Sequence, residues 1–155
     1  MKVGDLVILV ELGEIKAYKA NPRTPEAEAG LKPEEVKLDL VRDIDIADAH
    51  KKIQDLITDT TGTVYKAGFL SRAASGEKHT LKESVLNEII KVVAEDIDLV
   101  INEENPKKVF IAIPKEYANK ILDKVKNKDK IFRVVEKNLL KEDKNTLIEK
   151  FKPFA

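Results

Sequence analysis

The chain has 155 residues, 43% hydrophobic and 36% charged, which describes one soluble globular domain over residues 1–155 and excludes a disordered or fibrous chain. It has no Cys, which removes disulfides and thiolate metal sites, and no apolar run near its start long enough for a signal peptide or a membrane span, so a cytoplasmic protein is expected. Net charge is zero overall, yet residues 106–155 hold 14 Lys and Arg against 7 Asp and Glu, and residues 1–105 carry the opposite excess. Such polarity either orients an anionic partner or solvates the backs of helices.

Residues 5–10 form a near-continuous β-branched and leucine run, the pattern of a strand buried on both faces and therefore central in its sheet. Gly13 separates it from a second strand over 14–20, and the short gap dictates an antiparallel hairpin. Pro22, Pro25, Gly30 and Pro33 mark a loop. Val36, Leu38 and Leu40 alternate with Lys37, Asp39 and Val41, which predicts a third strand near an edge with one wet face. Residues 46–79 carry only a weak helical period, at 46–57, and then polar and glycine-bearing segments. A connection of that length is a candidate for function.

Thr80 and Glu83 read as a capping box opening a helix whose apolar face is Leu81, Val85, Leu86, Ile89, Val92, Val93 and Ile97. It should stop before Pro106. A short strand over 108–113 ends at Pro114, a helix over 115–126 follows, residues 131–135 form the last strand, and Asp143 caps a final helix.

Strand–helix–strand crossovers are right-handed and make the late strands parallel to a central one. The fold expected is α/β: a five-stranded mixed sheet in the order 3-2-1-4-5, ribonuclease-H-like, with helices on the faces. Its crevice should lie where connections diverge beyond the carboxyl ends of strands one and four, beside Glu11, Pro114 and Lys115. Backbone donors opening the 115–126 helix would meet an anion there, helped by Lys115 and opposed by Glu116. The alternative is an ordinary strand–helix junction.

The segments 6–10 with Ala17-Tyr18, Gly76-Glu77-Lys78-His79 leading into the next helix, 109–114 followed by Tyr117 and Leu122, and 134–139 together resemble the host-attachment protein family. That family is grouped with bacterial and archaeal proteins similar to the middle domain of eukaryotic-type peptide-chain release factors. The resemblance implies a ribonuclease-H-like fold and a link to RNA or ribosomes, without an established reaction. Release factors hydrolyse peptidyl-tRNA through a Gly-Gly-Gln loop. Here Gly76 precedes Glu77, whose ionised carboxylate accepts hydrogen bonds but has no amide donor to position water.

The strands also lack the carboxylates that a two-metal nuclease requires. Asp39, Asp43, Asp45, Asp48, Asp55 and Asp59 read as a solvated strand end and turn rather than a cation site. His50 and His79, far apart, make no zinc pair, and His79 is an acid or base only with a partner nearby. No glycine spacing matches a dinucleotide or phosphate loop, so neither cofactor nor metal is expected. The stretch 62–82 holds Lys66, Arg72, Lys78 and Lys82 against Glu77, with Tyr65 and Phe69 interleaved. Cations meeting phosphate and rings stacking on bases make Lys66, Arg72, Lys78, His79 and Lys82 candidate nucleic-acid contacts, with Gly76 and Glu77 in the same loop. Tyr65 and Phe69, one turn apart, would alternatively anchor the loop to the core. The expected function is a small non-enzymatic binding protein, associated with RNA or the ribosome. The rivals are a release-factor-like peptidyl-tRNA hydrolase and a protein-interaction module without nucleic acid.

Overall fold

The computed structural model describes residues 1–46 and 77–151, with the backbone alone for 77–82. In chain order the elements are β1 (Leu6–Glu11), β2 (Glu14–Pro22), α1 (Pro25–Glu28), β3 (Val36–Asp45), α2 (Glu77–Glu104), β4 (Val109–Ala112), α3 (Lys115–Leu122), β5 (Ile131–Val135) and α4 (Lys144–Phe151). The sheet order is β3-β2-β1-β4-β5. β1 pairs antiparallel with β2 and parallel with β4, and β5 runs parallel to β4. The mixed five-stranded sheet expected from the segment order is the one observed.

The core has two halves because β1 is buried on both faces. Leu6, Ile8 and Val10 point to one side, where Ile90, Val93, Ile97 and Ile101 of α2 and Ala118 and Ile121 of α3 cover them. Val7 and Leu9 point to the other, where Leu147 and Phe151 of α4 pack beside Phe110, Tyr18 and Leu38. A strand side chain alternates faces and a helix stripe recurs every three or four residues, so these periods alone sort the apolar residues into three layers. Gly4, at φ 96°, turns the chain into β1. Its N–H donates to the Ala20 carbonyl and its carbonyl accepts from Lys107, joining the start of β1 to β2 and to the approach to β4.

Several boundaries differ from expectation for identifiable reasons. α2 begins by Glu77, so Glu77, Lys78 and His79 lie in helical backbone rather than in a loop before Thr80. Inside the expected loop at 21–33, Thr24 Oγ1 accepts from Ala27 N–H at 3.1 Å and Pro25 occupies the first turn, which closes the single turn of α1. β3 extends to Asp45 because Val41 is an inserted residue: Ala17 pairs with Arg42 and Tyr18 with Leu40. That bulge ends the alternation of Val36, Leu38 and Leu40: it puts Arg42 on the same side as Val41 and returns Ile44 to the α2 side of the sheet. α3 stops at Leu122, short of 126. The N–H groups of Lys126 and Asn127 donate instead to the Asp98 carboxylate of α2, at 2.9 Å and 3.0 Å. Of the weak helical period at 46–57, all but Ile46 lies outside the described residues.

Candidate nucleic-acid interface

Lys66, Arg72 and Gly76 lie outside the described residues. Glu77, Lys78, His79 and Lys82 belong to the first two turns of α2, where Lys78 and Lys82 are one turn apart along the backbone. Glu11 ends β1 and is exposed; Pro114, buried, stands at the N-cap of α3; Lys115 and Glu116 are exposed in its first turn. The strand order reverses between β1 and β4. β1 leaves by the hairpin to β2, and β4 leaves the other way, through α3 to β5. Leu9 pairs with Ala112, so Glu11, Pro114 and Lys115 stand together at the carboxyl ends of these two strands. The connection after β4 carries α3 to the α2 side, whereas the one after β5 carries α4 to the opposite side. The Ile113 N–H donates to the Val135 carbonyl at 2.9 Å and closes the gap between the two strand ends.

The opposite end of the same two strands gathers cations around an aromatic ring. Lys107 and Lys108 precede β4, and Lys128 and Lys130 precede β5 in a short 3-10 turn. The strands are parallel with Val109 beside Ile131, so both approaches lie at one end of the sheet. Lys130 Nζ donates to Asn105 Oδ1 at 3.0 Å and ties the two together. Asp129 is the acidic residue within that turn.

β5 carries the second bulge. Val109 pairs with Ile131 but Phe110 pairs with Arg133, which leaves Phe132 as the inserted residue on an edge strand. Bulges at edges re-aim side chains. Here the ring of Phe132 meets Phe110 edge-on at 5.6 Å, and that contact anchors it to the core, while 36% of the residue stays exposed. The Lys108 ammonium sits 4.2 Å and the Arg133 guanidinium 4.8 Å from its centroid. An aromatic face held among cations offers base stacking and phosphate neutralisation within one contact radius. The sequence carries a signal for it: Lys126, Lys128, Lys130, Phe132 and Arg133 repeat the basic–aromatic interleaving noted at 62–82. Phe132 reads there only as one residue of the strand over 131–135, because a bulge is a property of two paired strands.

Among the described residues no group of three or more His, Asp or Glu is placed to hold a metal ion. No helix among them is long and apolar enough to cross a membrane.

The family described as "Protein required for attachment to host cells" matches residues 24–150, well over half of the chain. The chain belongs to this host-attachment family. The matched span opens at the Thr24 cap of α1 and closes within α4, so it contains β3, both late parallel strands and the Phe132 cluster of this host-attachment protein. The hairpin strands β1 and β2 precede it. No curated protein matches the chain.

Proposed function

We propose that this host-attachment protein is a small non-enzymatic RNA-binding domain that works in the cytoplasm, at the ribosome or on other RNA, with its contact surface at the cationic end of β4 and β5. The observation that carries the reading is the bulged, half-exposed Phe132 beneath Lys108 and Arg133. Its setting supports it: Lys107, Lys128 and Lys130 stand at the same end, in the half of the chain with the cationic excess. The resemblance to release-factor middle domains points the same way. Lys66, Arg72, Lys78, His79 and Lys82 form the proposed second contact segment. On binding, Lys108 and Arg133 exchange the ring for phosphates, and an unpaired base takes their place on it.

Fluorescence anisotropy with a labelled oligouridylate tests this. Affinity should fall steeply between about 50 and 200 mM salt, as phosphate contacts require. Lys108→Glu with Arg133→Glu should weaken it at least about tenfold, and Phe132→Ala should cost about 1–3 kcal/mol of binding, the range for one stacked base. Salt-insensitive binding, or binding indifferent to Phe132, would refute the surface. Release of peptide from peptidyl-tRNA, lost on Glu77→Ala, would instead establish the hydrolase.

A further inference from the structure

A cleft of about 200 Å³ lies on the far side of the molecule, between β3 and α4. One wall is residues 36–39; the other is Lys144, Asn145 and Ile148; Arg23 stands at one end. Side chains of consecutive strand residues point to opposite faces. A cleft lined by four in succession therefore runs along the outer edge of β3 rather than over one face.

Among the described residues, that edge presents unpaired backbone groups in a known register. Ala20 turns its N–H and carbonyl toward β1, bonding Asp5 and Gly4, so its neighbours Lys19, Asn21 and Arg23 turn theirs toward β3. Arg23 N–H accordingly donates to the Glu35 carbonyl, and Asn21 and Lys19 lie opposite Lys37 and Asp39. Leu38 and Leu40 then direct their N–H and carbonyl outward, and among the described residues no strand pairs with them. Edge strands are ordinarily blunted against pairing by bulges and charge. In β3 the bulge falls beyond Leu40, at Val41, next to Arg42, which is bound back to Glu103 of α2 at 2.6 Å, and the charges within 36–40 are the oppositely signed Lys37 and Asp39. The stretch 36–40 is left regular, and Leu40 is 47% exposed beside it.

The charge around the cleft selects its occupant. Arg23, Lys37 and Lys144 face it against Asp39, whose carboxylate already accepts from Asn21 Nδ2 at 2.7 Å. The neighbouring Glu35 carboxylate is engaged by Thr24 and Lys32. We propose that residues 36–40 of β3 and the first turns of α4 take up an extended acidic peptide by strand addition. The main chain of Leu38 and Leu40 supplies the ladder, Ile148 and Leu40 supply apolar contact, and Arg23 and Lys144 meet its carboxylates. This site is separate from the RNA surface and independent of that reading.

The test is an amide chemical-shift titration of the ¹⁵N-labelled full chain with a capped eight-residue peptide alternating valine and glutamate. Shifts should saturate below about 1 mM peptide, the weak end of measurable affinity, and centre on Leu38, Leu40, Asn145 and Ile148. Arg23→Glu with Lys144→Glu, both at exposed positions, should weaken binding at least about tenfold, consistent with the loss of two charge-assisted contacts. The same peptide N-methylated at alternate residues should not bind, and it leaves the protein unaltered. Silence at Leu38 and Leu40 up to that concentration would overturn the proposal. So would equal binding of the alternating valine–lysine peptide or of the N-methylated one, or shifts of the same amides by oligouridylate alone.

Discussion

Asp98 shows how one side chain ends one element and places the next. From the middle of α2 its carboxylate accepts the N–H groups of Lys126 and Asn127 and the Asn127 amide at 2.8 Å. It thereby supplies the acceptors that α3 would otherwise have provided by continuing, and sets the chain's turn toward β5. Asp98→Ala leaves two exposed to half-buried backbone donors without their partner and should cost about 0.5–1.5 kcal/mol, the net worth of a typical hydrogen bond. Urea denaturation measures it, and an unchanged midpoint would assign those donors to water. Two residues earlier the balance reverses. Burial, and then the like charge of Glu95, raise the Asp96 pKa above its ordinary value. A raised carboxyl pKa means that the native state holds the proton more tightly than the unfolded chain. Stability is therefore lost as pH rises from the unfolded toward the folded pKa, and stays reduced at neutrality. Asp96→Asn should raise the melting temperature at pH 7 and lose that advantage below about pH 4, where the unfolded carboxyl is itself protonated. A variant equally stable at both pH values would place Asp96 in water.

At the scale of elements, what the sequence disclosed and what it hid divide along the range of the forces. Strand β5 and the end of α2 were legible to within a residue or two, because apolar periodicity and Pro106 act locally. The end of α3 was not, since the acceptor that stops it lies in another helix. The two bulges were not, since a register slip belongs to a pair of strands and neither strand alone shows it. That second miss hid Phe132 as a candidate contact, although the surrounding lysines were plain in the sequence. Capping by Asp143 was legible, and it makes α4 sensitive to acid. Asp143 Oδ1 accepts the Thr146 N–H at 2.7 Å, and this bond, with the Thr146 side chain, holds its pKa below the usual carboxylate range. A lowered folded pKa contributes stability that is present above the unfolded value and lost as pH falls through the folded one. Acidification below about pH 4 should thus loosen α4 ahead of α2, seen as faster amide exchange at Leu147 and Ile148. Asp143→Ala should bring the same loosening to pH 7; uniform exchange across both helices would exclude it.

For the whole molecule, segment order was the strongest single guide, because a parallel crossover has one hand and an apolar strand must be central. The same order fixes where the sheet reverses, between β1 and β4: β1 leaves by the hairpin that its short gap to β2 dictates, and β4 leaves the other way through α3. The shared sheet also decides how the molecule fails. β1 gives Leu6, Ile8 and Val10 to the α2–α3 layer and Val7 and Leu9 to the α4 layer, so neither half of the core exists without the other's strand. Phe151 is fully buried with its ring 5.8 Å from Phe110, edge to face, and Ile97 is fully buried on the opposite side. Phe151→Ala should cost about 3–5 kcal/mol and Ile97→Ala about 2–5 kcal/mol, each a large share of a total near 5–15 kcal/mol. Because the two layers share β1, each variant should still unfold in one transition, with far-ultraviolet ellipticity and tyrosine fluorescence coincident. Two separated transitions in Phe151→Ala, with the α2 signal persisting after α4 is lost, would show that the faces are independent units and that β1 does not couple them.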